Sequence, residues 1–376
     1  MNTRTISALI ALLAVAGCKS SGEKPEIPQD PFEQSLGAEE RELYWHQRGT
    51  DATKAVWATF RVADDTALIS DGRDDGLPSY DFATHVFGLL LDNVSVFWRK
   101  ELSTEAVEAY FNDFSALYPD RMANCRNDEI LRWAIACTRA ARITGNKMYL
   151  DEARTLYDSL WLSQVDNALG GGMWHRSDEK TSKSASANLC AVVVALNLYH
   201  ATQDLKYLLQ GRRLYKWAAE HMFNQATGAV SEGVNADGVR SGVVLTSDLG
   251  IFVNASMRLY RVTGSGIYFA SAKKAADRLL GASGHAETMR CAKSAGESLS
   301  NGFALRCLAE LASRPGCERY REFILANACS AWTSRRLSDG LNGPDWAKTP
   351  LDFDVVEPQH AVSAAILYFA ASRACR

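Results

Sequence analysis

Apolar residues recur along this chain at helical spacing, in blocks of two kinds. Cys190-Ala191-Val192-Val193-Val194-Ala195-Leu196 offers no polar face at all, as expected of a helix buried on most sides. It sits in a run from Ala187 to His200 that stops at Thr202-Gln203-Asp204, residue types that close one helix and open the next. The following segment is amphipathic: Tyr207, Leu208, Leu214, Tyr215 and Ala218 approximate one helical face, with charges on the other. Such a helix packs on one side and meets water on the other. The pattern predicts an inner helix, a tight turn and an outer helix.

This unit repeats. Ile143-Thr144-Gly145-Asn146-Lys147-Met148-Tyr149-Leu150 recurs as Ala201-Thr202-Gln203-Asp204-Leu205-Lys206-Tyr207-Leu208 and as Val262-Thr263-Gly264-Ser265-Gly266-Ile267-Tyr268-Phe269, and a weaker copy ends in Glu318-Arg319-Tyr320. Tyr149, Tyr207 and Tyr268 lie 58 and 61 residues apart, a period that holds two helices and their connections. Repeating with the hairpin, these tyrosines read as packing between helices. Roughly 350 residues at this period make six pairs. Six inner and six outer helices close into an all-α (α/α)6 barrel, a six-hairpin toroid, with a cleft where the inner helices meet their loops. An open solenoid is the alternative. No β alternation is long enough to build a sheet.

The start of the chain stands outside this scheme. Residues 1–17 have signal-peptide form, with a basic start and an apolar run, Ile6 to Ala16, too short to span a bilayer. Val15-Ala16-Gly17-Cys18 looks like a bacterial lipobox, which implies cleavage before Cys18 and lipidation of its sulfur. An ordinary signal peptide with an incidental cysteine is the other reading. Residues 18–35, with Pro25, Pro28 and Pro31 among Ser, Gly and Glu, suit a flexible tether, leaving 36–376 for the barrel. The expectation is an exported protein, lipid-anchored on the periplasmic or cell-surface face of a bacterial outer membrane. A net charge of −3 gives no basic footprint for nucleic acid. The cysteines lack CxxC spacing and His85, His175 and His360 lack metal-ligand spacing, so no metal site is expected.

The candidate chemistry is Asp128-Glu129, within Asn127-Asp128-Glu129-Ile130-Leu131-Arg132-Trp133. Adjacent carboxyls can serve as nucleophile and general acid/base of a glycosidase. They also suit an acidic first helical turn behind an Asn127 N-cap. Around them, Gly170 to Gly172 permits positive φ and close backbone approach to a sugar, or a plain tight turn. Trp174 stacks on a pyranose or plugs the core. Lys183 and Asn188 reach sugar hydroxyls or serve solvation and packing. Asp248 binds a hydroxyl or caps a helix near Leu249.

Taken in order, these residues resemble glycoside hydrolase family 76, the endo-α-1,6-mannanases and related fungal wall transglycosylases. The resemblance rests on the acid pair with Trp133 four positions after its second member, the Thr144-Gly145 turn with Tyr149-Leu150, and Gly170-Gly171-Gly172-Met173-Trp174. It continues through Lys183 with Asn188, Gly302-Phe303 with Arg306, Asn327-Ala328 with Trp332, and Gln359. It implies an (α/α)6 fold and retaining hydrolysis of α-1,6-linked mannan or a related α-glycan. Asp128 would be the nucleophile and Glu129 the acid/base. Asn127, Gly171, Gly172, Trp174, Lys183, Asn188 and Asp248 would bind substrate, with no metal or organic cofactor. The expected partners are an α-mannan-like polysaccharide or oligosaccharide, the membrane through the lipid at Cys18, and other glycan-uptake proteins, but no nucleic acid.

Three positions depart from the family's pattern. Its second consecutive Asp is here Glu129, whose extra methylene moves the carboxyl by about 1.5 Å. Its Lys-Asn step is Lys183-Ser184, and its Thr-Tyr-Asn-Gln-Gly stretch is Thr246-Ser247-Asp248-Leu249-Gly250. These departures define the competing reading, a catalytically impaired glycan-binding lipoprotein on the same fold. An open carboxyl pair in the structure would favour hydrolysis. A buried or salt-bridged pair would argue for binding alone.

Overall fold

A computed structural model describes Glu33, residues 35–94, 100–282, Met289 and residues 292–376. The segments expected to be a signal peptide and a tether, with Cys18, lie almost entirely outside the described residues. Twelve helices occur among the described residues: α1 (Ala38–Phe60), α2 (Tyr80–Val94), α3 (Lys100–Leu117), α4 (Asn127–Thr144), α5 (Lys147–Gln164), α6 (Ala185–Thr202), α7 (Leu205–His221), α8 (Thr246–Thr263), α9 (Gly266–Ala282), α10 (Ala295–Ala312), α11 (Glu318–Ser334) and α12 (Pro358–Ala374). The even-numbered helices form the inner ring. Each packs on the next, and the ring closes where α12 meets α2. The odd-numbered helices pack outside it. This is the (α/α)6 barrel.

The local rules behind the repeat are visible in the turns. Gly145, Gln203 and Gly264 take left-handed φ of +75°, +59° and +69° and donate their backbone N–H to Ala141, Tyr199 and Tyr260. Each thereby satisfies a carbonyl left open at the end of an inner helix. Tyr149, Tyr207, Tyr268 and Tyr320 are each the third residue of an outer helix. Tyr149, Tyr207 and Tyr320 are buried, each removing enough apolar surface to favour the hairpin by about 1.5–3 kcal/mol. α6 is long and apolar enough to cross a membrane, but here it packs against α4, α7 and α8 within the barrel. Close approach in the inner ring requires glycine: a Cβ on Gly250 of α8 would lie 2.6 Å from the Ala304 Cα of α10.

All inner helices run the same way, so their N-termini gather at one end of the barrel. The connections there are the longest in the chain. They include two three-residue antiparallel strands, β1 (Ser182–Ser184) and β2 (Gly233–Asn235), paired Lys183 to Val234. β1 runs directly into α6, which fixes the side chains entering that helix.

Candidate active site

The N-terminus of α4 carries the acid pair. Its N-cap is Arg126, with no side-chain cap, so the expectation that Asn127 caps the helix is corrected. Asn127 is the first helical residue and is fully buried. Its backbone N–H donates to the His175 carbonyl (3.0 Å) and its Nδ2 to the Trp174 carbonyl (2.8 Å). Asn127 thereby ties the glycine loop across the mouth of α4.

The two carboxyls have different environments. Asp128 is buried. Its Oδ2 accepts from Arg132 Nη2 (2.9 Å), one helical turn on, and from Ser186 Oγ (3.2 Å) of α6. Its Oδ1 accepts no hydrogen bond within the protein, and Arg126 Nε and His175 Nδ1 each stand 3.8 Å from it. Glu129 accepts from Asn124 Nδ2 at Oε2 (3.0 Å), and its Oε1 pairs with Arg126 Nε (2.9 Å). Burial raises the Glu129 pKa, the Asp81 and Asp128 charges add to the rise, and the Asn124 and Arg126 contacts only partly offset it.

Behind the pair, Arg132 bridges two carboxylates, with Nη1 2.6 Å from Asp81 Oδ1 of α2. Burial pushes the Asp81 pKa up, but Arg132, His85 and Arg126 together outweigh it and the net direction is down. Burial lowers the His175 pKa, which favours the neutral ring at pH 7, and its Nδ1 meets Ser184 Oγ at 2.9 Å. Asp81, Arg132, His175 and Ser186 were not singled out as site residues from sequence. The Asp128–Arg132 spacing of four was a usable signal. Nothing local links Asp81 to Arg132, and Ser186 is an ordinary first-turn serine.

The glycine loop is architecture. Leu169 and Gly170 to Gly172 all have positive φ. A Cβ on Gly172 would lie 2.5 Å from the Trp217 ring, so the backbone lies flat on that indole. Lys183 is fully buried, and its Nζ donates to Asp166 Oδ1 (2.9 Å) and to the carbonyls of Ala168 (2.8 Å), Gly171 (2.6 Å) and Gly172 (3.1 Å). Trp174 is buried, with Nε1 on Asp166 Oδ2 (2.7 Å). Asn188 accepts from the Met173 N–H (2.7 Å) and donates to the Met173 carbonyl (3.0 Å). Within the protein, Gly171, Gly172, Trp174, Lys183 and Asn188, expected to contact substrate, are buried and bonded to the loop and its neighbours. Their surfaces are consumed by one another, and what they do is hold His175 beside Asp128.

The departures have physical roles. Ser184 caps α6 by accepting from the Ala187 N–H (3.2 Å). α8 begins at Thr246 behind Leu245, so Asp248 is not its cap. Asp248 is buried at the same end of the barrel, its Oδ2 without a protein partner. Burial drives its pKa well up, Arg132 opposes, and Asp128 and Glu232 add to the rise. The raised pKa favours the protonated form of Asp248, and that form has the donor-plus-acceptor character of the amide that the family pattern places there. Among the described residues no group of three or more His, Cys, Asp or Glu side chains is placed to hold a metal ion.

The sequence model of glycosyl hydrolase family 76 matches residues 85–371. The fold is similar to that of the α-1,6-mannanase GH76A from Salegentibacter sp. HEL1_6, with 21% identity and a TM-score of 0.79, over 87% of this chain and 98% of that one. It is also similar to an inactive variant of that enzyme, two consecutive aspartates replaced by asparagine, in complex with α-1,6-mannotriose (20% identity, TM-score 0.78, 87% of this chain and 99% of that one). Dfg5 from Chaetomium thermophilum, in complex with glucosamine, shares 12% identity at a TM-score of 0.72, over 89% of this chain and 90% of that one. No curated protein matches the chain.

Proposed function

The chain belongs to glycosyl hydrolase family 76, and on that premise we propose that it cleaves α-1,6-linked mannan or a related α-glycan with retention, using Asp128 and Glu129. The observation that carries this reading is the asymmetry of the pair. Asp128 has one oxygen held by Arg132 and Ser186 and one oxygen without a hydrogen bond. Glu129, beside it, is biased toward keeping its proton. A retaining glycosidase needs that division, one carboxyl ionised and one protonated.

The steps follow from these contacts. Asp128 Oδ1 attacks the anomeric carbon while the glycosidic bond breaks, and the leaving oxygen takes the proton of Glu129. Water then attacks the same carbon, Glu129 receives its proton, and Asp128 leaves as carboxylate. Arg132 and Ser186 hold Asp128 through Oδ2 and leave Oδ1 without a hydrogen bond.

Burial and pairing were the features expected of a binding protein. Here they divide the two roles. The hydrogen bonds fall on Oδ2 and leave Oδ1, which Arg126 and His175 each approach at 3.8 Å. Arg126 is half-exposed, so its guanidinium can move aside for a sugar at little cost. The complex of the similar GH76A α-1,6-mannanase variant with α-1,6-mannotriose supports the choice of glycan.

The test is incubation of purified protein with α-1,6-mannan, following released oligosaccharides, with Asp128→Ala and Glu129→Gln alongside. Products from the wild type alone support the reading. Binding without products, unchanged in both variants, is the signature of the glycan-binding alternative and would sink it. The proposal includes export and lipid anchoring through Cys18. Metabolic labelling with a fatty-acid analogue, lost in Cys18→Ser, checks that step.

A further inference from the structure

A cavity of about 1280 Å³ runs through the barrel interior from Arg132 and Phe303 to the end where the inner helices finish. Its lining includes Arg139 and Arg142 of α4, Arg258 and Arg261 of α8, Arg306 of α10 and Arg373 of α12. Cations in a last helical turn offset the helix dipole, which accounts for Arg142, Arg261 and Arg373. It does not account for Arg139, Arg258 and Arg306, which lie more than a full turn inside their helices.

The carboxylates nearby are too few for these guanidiniums. Asp92 of α2 alone serves Arg139, Arg306 and Arg373, and Glu310 pairs with Arg261 at 3.0 Å. Arg258 bonds only to amide oxygens, Asn254 Oδ1 (3.0 Å) and Asn197 Oδ1. Among the described residues no carboxylate lies within ion-pair distance of Arg258 or Arg142. Buried Arg306 Nε has no hydrogen-bond acceptor. Space has been kept for this cluster: a Cβ on Gly88 would lie 2.7 Å from Arg306 Nη1. Burial lowers the pKa of Arg139, Arg258, Arg306 and Arg373, in each case against an opposing carboxylate. Holding uncompensated guanidiniums in a recess is costly unless something of opposite charge enters it.

We propose that this cavity is a binding site for a compact phosphorylated anion. Guanidinium forks at several heights match the tetrahedral oxygens of a phosphoryl group, and the volume holds a sugar-sized molecule with room to spare. The ligand has two sources, free phosphate or diphosphate and a phosphorylated sugar.

The test is isothermal titration of the whole protein at pH 7 and low salt with pyrophosphate, a hexose phosphate and the same hexose without phosphate. Saturable binding of pyrophosphate is expected, weakened at least about tenfold in Arg142→Glu and in Arg258→Gln, and weakened further by salt. Binding of the hexose phosphate as tight or tighter assigns the site to a phosphorylated sugar. Tighter pyrophosphate binding assigns it to the free anion. Arg126→Gln, at the catalytic end, should leave binding unchanged. Should Arg258→Gln fail to fold, the exposed Arg142 still decides. Absence of saturable binding, binding unaffected by Arg142→Glu, binding abolished by Arg126→Gln, or equal binding of the neutral hexose would each overturn the proposal.

Discussion

Replacing Lys183 by Met separates a scaffold from a ligand contact. Met keeps the apolar stem and removes the ammonium, which leaves the buried carbonyls of Gly171 and Gly172 without their donor, while that of Ala168 keeps the Gly171 N–H. A buried acceptor left unpaired costs about 1–3 kcal/mol. Two of them give a gross loss of about 2–4 kcal/mol, since neighbouring sites do not add fully. The lower end is expected, because Met no longer buries a charge. A domain of roughly 340 residues has an unfolding entropy on the order of 0.7 kcal/mol per degree, so Tm should fall by about 3–6 °C. The loosened loop also carries His175 and the acceptors of Asn127, so kcat should drop by on the order of 100-fold for a displacement near 1 Å. Scanning calorimetry and steady-state kinetics on mannan read both quantities. A Lys183→Met protein with Tm unchanged, kcat unchanged and only KM raised would show that Lys183 binds sugar and that the buried-clamp argument is wrong.

Other predictions rest on the carboxyls. With the Glu129 pKa raised, the proton it donates is present below that pKa. The kcat/KM should therefore fall as pH rises through it, and Glu129→Gln should abolish that alkaline limb and lose about 10²–10⁴-fold with a poor leaving group. A pH–rate profile with the limb intact in Glu129→Gln would assign it to another group. Asp248 binds its proton more tightly folded than unfolded. Stability is therefore full below the unfolded carboxyl value and falls by about 1.4 kcal/mol per pH unit between the unfolded and folded pKa. Asp248→Asn should remove that slope, matching wild type in acid and exceeding its Tm at pH 8. Parallel Tm curves would refute the assignment.

Much of the barrel was legible because its determinants are local and repeat. The Thr-Gly turns, the tyrosine opening each outer helix and the apolar run of α6 each state their structure within a few residues. The acid pair was legible for the same reason. What surrounds it was not. Lys183 read as a sugar-binding, solvating or packing residue alike, because its four acceptors are scattered over Asp166 to Gly172 and converge only after the loop folds onto Trp217. Asn127 read as a cap because asparagine prefers that role, yet the Trp174 carbonyl, 47 positions away, claims its amide. The coupling of Asp128 to Asp81 through Arg132 spans two inner helices, and only closure of the ring brings them together.

The central claim is that Asp128 and Glu129 divide nucleophile and proton donor between them. Trapping the intermediate tests this most directly. Glu129→Gln, which slows hydrolysis of the intermediate, is treated with a fluoride-activated mannosyl donor and digested, and the peptides are weighed. The account predicts one glycosyl adduct, on Asp128. An adduct on Glu129's replacement, on Asp248 or elsewhere, or turnover of mannan by Asp128→Ala with no adduct formed, would contradict it.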